Sequence, residues 1–218
     1  MKYKVVITGS TGMVGGILMN QCLENEVIGE VVSLVRKASG IKNSKLTEIV
    51  AKDFLNYDNY SEIFKGVDII FYCLGVYTGA VPAKDFRTIT VDYPVALAKR
   101  IFLFSPDARF CLLSGQGADR TEKSNIMFAR DKGAAENQLS VTSFKSFHSF
   151  RPGYIYPVTA RKEPNITYRI SRFIYPIIQL LGKRFSVTST KLAAAMLHVG
   201  INGYSKEILE NKDIRLVG

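Results

Sequence analysis

A short β-branched run, Val5-Val6-Ile7, is followed at once by Gly9-Ser10-Thr11-Gly12-Met13-Val14-Gly15, and from Met13 to Asn25 apolar residues recur at helical spacing. Strand, glycine loop and helix in that order form the context of a dinucleotide-binding fingerprint. Gly9 permits the tight turn, Gly12 lets the backbone approach a pyrophosphate, and Gly15 lets the helix pack on its strand. The start of the helix then offers backbone N–H donors and a partial positive charge to phosphate. In such a loop Ser10, Thr11, Met13 and Val14 line the phosphates together with the three glycines, and the ligand expected is a nicotinamide dinucleotide.

The rest of the chain repeats the alternation. Further strands are predicted at Glu30–Val35, Leu46–Ala51, Val67–Leu74, Arg109–Leu113 and His148–Arg151, and the last is stopped by Pro152-Gly153. Helices are predicted at Tyr57–Lys65, Asp85–Phe104, Asn125–Leu139, Ile166–Leu181 and Thr190–Val199. Several of these strands read as continuous apolar runs, as strands covered on both faces do. Six strands alternating with helices imply an α/β fold, a Rossmann-type doubly wound parallel sheet. No repeat or linker divides the 218 residues, so one domain over 1–218 is expected, with 154–218 as its substrate-side and C-terminal segment.

The second strand ends in Arg36-Lys37. A strand-end carboxylate there would bind the ribose hydroxyls of NAD, whereas a guanidinium makes paired, charge-assisted contacts with the 2′-phosphate of NADP. NADP(H) is therefore expected in preference, with NAD(H) as the alternative if Arg36 is only a solvated charge.

Composition narrows the remaining classes. The apolar stretch Phe173–Leu181 contains Pro176 and is far shorter than the roughly 20 residues that span a bilayer. The apolar run behind Lys4 is too short for a signal peptide core, and a cytoplasmic location is expected. Cys22, Cys73 and Cys111 lie inside apolar periodic segments and read as reduced core cysteines. His148 and His198 have no companion ligands in their segments, so no metal site is expected. The net charge of +10 suits an anionic partner, but the basic residues form no nucleic-acid motif. Binding to nucleic acid or an anionic membrane is thus a minor alternative, resting on that charge and on Arg169 and Arg172 in the helix expected at Ile166–Leu181.

Thr8-Gly9-Ser10-Thr11-Gly12, Lys52-Asp53-Phe54, Cys73-Leu74-Gly75, Leu113-Ser114, Lys132-Gly133-Ala134-Ala135-Glu136 and Arg151-Pro152-Gly153 follow one another in order. Over nearly its whole length the sequence resembles the atypical short-chain dehydrogenase/reductases, close to the Tat-interacting-protein-like and NmrA-like group. The resemblance implies that Asp53 and Phe54 border the adenine, that Leu74 and Gly75 line the cofactor, and that Pro152 and Gly153 lie beside the nicotinamide. Read from the residues alone, Asp53 is equally a turn cap and Pro152-Gly153 a strand end.

In the active pattern of that family a serine positions a carbonyl, a tyrosine moves the proton, and a lysine four residues later binds the nicotinamide ribose. Ser114 and Lys132 match as the catalytic candidates, but the tyrosine's place is taken by Phe128, which has no hydroxyl to protonate a developing alkoxide. Tyr77, Tyr154 and Tyr156 follow predicted strands and are candidate substitutes. The expectation is an NADP(H)-binding, reductase-like protein with an altered active site and an unidentified small-molecule substrate. The alternative is a weak or inactive nucleotide sensor that regulates a protein partner.

Overall fold

The computed structural model describes residues 2–158 and 185–218. Its spine is a seven-stranded, wholly parallel sheet. In chain order the strands are β1 (Tyr3–Thr8), β2 (Ile28–Val35), β3 (Leu46–Val50), β4 (Ile69–Tyr72), β5 (Arg109–Leu113), β6 (Ser146–Arg151) and, near the C-terminus, β9 (Ile208–Glu210). Across the sheet they run β3-β2-β1-β4-β5-β6-β9, so the winding reverses between β1 and β4. Ligands of doubly wound sheets bind at the carboxyl edge beside such a reversal. A separate parallel pair is formed by β7 (Tyr154–Tyr156) and β8 (Ser186–Thr188).

Alternate side chains of the inner strands feed two cores, which is why these strands read as unbroken apolar runs. Val5, Ile7, Ile69, Phe71 and Cys111 enter one core, with α1 (Met13–Glu24) and a C-terminal helix, α5 (Ser189–Asn202). Val6, Ile70, Tyr72, Phe110 and Leu112 enter the other, with α3 (Tyr93–Phe102) and Leu139 of α4 (Met127–Ser140). Helix α5, within which the predicted Thr190–Val199 helix falls, packs on α1 and against β4 and β5. The last helix, α6 (Asn211–Val217), begins with a capping box between Glu210 and Asp213.

Two predicted helices differ in the structure. Tyr57–Lys65 folds as two 3₁₀ turns, Asp58–Tyr60 and Glu62–Phe64. Asn56 Oδ1 accepts the Asp58 N–H at 2.8 Å, and short polar side chains of this kind compete with the regular helical ladder. Asp85–Phe104 is broken into α2 (Ala83–Arg87), a π-helical stretch Thr88–Asp92, and α3. Pro94 supplies no N–H to the ladder in the first turn of α3, and the irregular turn lies immediately before it. The strand β9 and the pair β7–β8 are each three residues per strand. No alternation can be recognised over so few positions. The predicted helix Ile166–Leu181 lies outside the described residues.

Candidate cofactor cleft and reaction centre

The glycine loop closes on the switch point by contacts that leave no room for side chains at Gly9 and Gly15. Gly9 has φ +71°, and a Cβ on it would lie 2.5 Å from the Cys73 carbonyl carbon. A Cβ on Gly15 would overlap the Gly9 carbonyl, whereas one on Gly12 would meet only Gly9 O, at 3.1 Å. The loop is drawn tight by Gly12 N–H donating to Gly9 O at 2.9 Å. Gly12 caps α1 without a side-chain hydrogen bond, and no acidic residue lies in the first turn. The first N–H groups of α1, those of Met13, Val14 and Gly15, therefore face a cradle without a competing carboxylate, as a pyrophosphate requires.

Beside the loop lies a cleft of about 550 Å³ lined by Gly9, Ser10, Thr11, Leu34, Arg36, Lys37, Phe54 and Leu74. The structure thus gathers residues from the carboxyl ends of β1, β2 and β4 that are up to 65 positions apart in the chain. Arg36 and Lys37 are exposed at the end of β2. Phe54 is buried and stacks on Tyr93, with centroids 5.6 Å apart. Ser10 Oγ is shared with Ser33 Oγ at 2.6 Å. Asp53 does not line this cleft, and its Oδ1 accepts the Leu55 N–H at 2.8 Å, the turn cap that its sequence position already allowed. Gly75 is exposed with open space where a Cβ would go. A second cleft of about 550 Å³ adjoins the first across Ser10 and Thr11 and is floored by Met13, Gly16 and Ile17.

At the carboxyl end of β5, Ser114, Phe128 and Lys132 come together. Lys132 Nζ donates to Leu113 O at 3.2 Å. Burial pushes its ammonium down to about 8, an effect that Glu136 and Cys73 partly oppose. Phe128 presses its ring on Gly115, where a Cβ would lie 2.5 Å from Phe128 Cζ. Ser114 is buried, and its hydroxyl donates to Glu136 Oε1 at 2.7 Å. Pro152 and Gly153 are held nearby, the Pro152 carbonyl by Gln116 N–H at 2.9 Å and the Gly153 N–H by Asn211 Oδ1 at 3.0 Å.

Glu136 has no solvent exposure and is the hub of this region. Its Oε1 accepts from Ser114, from Ser149 Oγ at 2.7 Å and from Arg151 Nε at 3.0 Å, while Oε2 accepts from Arg151 Nη2 and from Arg120 Nε at 3.1 Å. Burial alone would raise the carboxyl, but the hydrogen bonds from Arg151, Ser114 and Ser149 hold it below the ordinary value. Sequence reading assigned this residue no role. The available signal was a glutamate four positions after Lys132, on the same helical face, with Arg151 closing a buried strand.

The cysteines behave as core residues: burial pushes the Cys22 and Cys73 thiols up to about 12 and Cys111 higher still. His148 is buried with Nδ1 2.9 Å from Lys206 O. No described helix is long and apolar enough to cross a membrane.

Comparison with known proteins bears on the cleft. Residues 9–143 match the model of a family described as NAD(P)H-binding. A mitochondrial protein named fmp52 from Emericella nidulans is 25% identical over 213 residues, covering 94% of this chain and 90% of its own. Its namesake from Aspergillus clavatus is 27% identical over 158 residues, 69% of this chain and 66% of that protein. Among solved structures, Gre2 from Candida albicans in complex with NADPH superposes with a TM-score of 0.71 at 15% identity, over 95% of this chain and 78% of that one. A short-chain dehydrogenase family protein from Francisella tularensis reaches 0.68 at 13% identity, over 96% of each chain. The Bordetella bronchiseptica enzyme WbmH in complex with NAD+ reaches 0.69 at 15%, over 96% of this chain and 75% of that one.

Proposed function

The chain belongs to the NAD(P)H-binding family, and from that premise we propose that it binds NADP(H) in preference to NAD(H) and reduces an acceptor that needs no proton during hydride transfer. Gly9 to Gly15 hold the pyrophosphate, Arg36 and Lys37 the 2′-phosphate, Phe54 the adenine side, Leu74 and Gly75 the middle of the cofactor, and Pro152-Gly153 the nicotinamide. Asp53 contributes through the turn that presents Phe54, and Lys132 holds the nicotinamide ribose. NADPH supplies a hydride when bound.

The observation that carries this reading is a cofactor cleft with a cationic rim beside a reaction centre in which Phe128 lacks a hydroxyl and the Ser114 hydrogen is committed to Glu136. Loss of a positioned acid costs about 10² to 10⁴ in rate when an alkoxide must be protonated. A quinone, flavin or activated alkene escapes much of that penalty. A quinone, for example, takes the hydride to become a phenolate, whose conjugate acid ionises near about 10 as tyrosine does, and it collects its proton from water afterwards.

Titration with both nucleotides and turnover against a panel of these acceptors test the reading together. Arg36→Glu should weaken NADPH by at least about 10-fold and NADH little, since a phosphate contact is replaced by a repulsion. Equal losses for the two would remove Arg36 as the reader, and a wild-type protein that oxidises NADPH with no acceptor in the panel is not this reductase.

The same missing donors favour a second reading, in which NADP(H) occupancy controls association with a protein partner. Pull-downs that recover identical partners with and without saturating NADPH would rule it out. We propose a cytoplasmic location, whereas the fmp52 proteins are named mitochondrial, and cell fractionation decides between the compartments.

A further inference from the structure

Ser114 stands where a short-chain reductase would point a hydroxyl hydrogen at its substrate, yet the atoms around it turn that hydrogen the other way. The serine N–H is spent on Phe150 O at 2.8 Å, which fixes the residue to β6, and its Oγ lies 2.7 Å from Glu136 Oε1. Glu136 is ringed by the guanidinium groups of Arg120 and Arg151. With two cations on it the group is a carboxylate, which has no hydrogen to give, so Ser114 is the donor in this pair.

A hydrogen bond to a buried carboxylate is roughly twice as strong as one between neutral groups, so a neutral carbonyl does not win the hydrogen away. What remains on Ser114 Oγ is lone pairs. Ser149 donates to the same carboxylate oxygen from within β6 and is wholly buried, which leaves Ser114 as the hydroxyl at the carboxyl end of β5.

We propose that Glu136 is a positioning residue that holds Ser114 as a hydrogen-bond acceptor toward the ligand, so that the ligand group seated there is an N–H or O–H rather than a carbonyl oxygen. This rests on the reading of the carboxyl end of β5 as a substrate site next to bound NADP(H). It narrows the acceptors to those that carry a donor beside the reducible group, such as a cyclic imide, a lactam or a hydroxylated ring.

Isatin and N-methylisatin form a matched pair of probes, both with an activated ketone and only the first with an N–H. Their binding to the protein saturated with NADP+ is measured by ligand-observed NMR, with NADPH affinity measured on the same samples. Isatin should bind about 2- to 10-fold more tightly than N-methylisatin, the range one neutral hydrogen bond supplies. Ser114→Ala should bring the ratio to about one, whereas Ser149→Ala, which removes an equivalent donor to Glu136, should leave it unchanged.

In Glu136→Gln the amide oxygen is favoured where Oε2 takes two guanidinium donors, Arg151 Nη2 and Arg120 Nε, which turns the nitrogen toward the two hydroxyls and the single N–H of Arg151 Nε. Ser114 then turns its hydrogen outward, and the preference should fall or reverse. If that variant does not fold, the Ser114→Ala and Ser149→Ala ratios carry the test. Equal affinity for the two probes in the wild type, no binding of isatin, or discrimination that survives Ser114→Ala overturns the proposal. If NADPH itself fails to bind, it is the cofactor reading that falls.

Discussion

Lys132 shows how much of a residue's chemistry comes from its surroundings. Its ordinary pKa of 10.5 is lowered to about 8 because burial penalises the ammonium more than Glu136 and Cys73 favour it. Between those values the unfolded chain holds the proton more tightly than the folded one, so this residue's contribution to stability rises with pH through that window. Below about 8 both states are charged and the cost of burying the cation is fully present. Lys132→Met removes the charge and keeps most of the volume. The variant should match or exceed the wild type in denaturant unfolding at pH 7.5, and its advantage should shrink steadily toward pH 10. An advantage that stays constant would mean that Lys132 titrates as an exposed lysine does. Glu136 is the opposite case, a carboxylate kept charged in a dry place by its five donors.

Among the elements, α4 does the most to assemble the proposed reaction centre. Phe128, Lys132 and Glu136 recur every four residues, so one helical face carries all three toward β5 and β6. The helix can come this close because Gly133 has no side chain: a Cβ there would collide with the carbonyl of Asp119. That loop cannot retreat easily, since Asp119 N–H donates to Ala129 O at 2.8 Å and the Asp119 carboxylate holds the Thr121 and Ser124 N–H groups, each at 2.9 Å. In an exposed helix Gly→Ala gains about 1 kcal/mol, but here the collision should reverse the sign. Gly133→Ala is expected to cost about 1–3 kcal/mol. For a chain of this size that lowers the melting temperature by roughly 2–4 °C per kcal/mol. A stabilised variant would show that α4 and the Asp119 loop can separate. The element level is also where sequence reading was least secure. The six predicted strands all appear, most of them marked by runs of buried positions, although β3 has none, whereas the helix predicted at Asp85–Phe104 conceals a π-helical stretch beside Pro94.

At the scale of the molecule, the proposed cofactor cleft joins the ends of three strands, so ligand binding there would be linked to global stability. NADPH at 100 times its dissociation constant should stabilise the protein by about 2.7 kcal/mol. The melting temperature should then rise by roughly 5–10 °C. Gly12→Asp places a carboxylate in the pyrophosphate's space, where the glycine now meets little besides Gly9 O, and should abolish that shift while changing the melting temperature of the free protein much less. A variant that keeps the full shift would remove Gly9 to Gly15 as the phosphate loop. The sequence by itself determined the alternation of buried strands and helices, the glycine loop at the first crossover, the cations after the second strand and the absent phenol at position 128. All of these are local, written in periodicity, in backbone freedom or in the identity of one side chain. Only the tertiary structure decided that Ser114 gives its hydrogen to Glu136, that the Asp53 carboxylate accepts the Leu55 N–H, and that a three-residue strand, β9, completes the sheet. Those outcomes depend on groups brought together from distant parts of the chain, Arg120, Glu136, Ser149 and Arg151 among them, and on a carboxylate whose charge state is set by the neighbours that folding gives it.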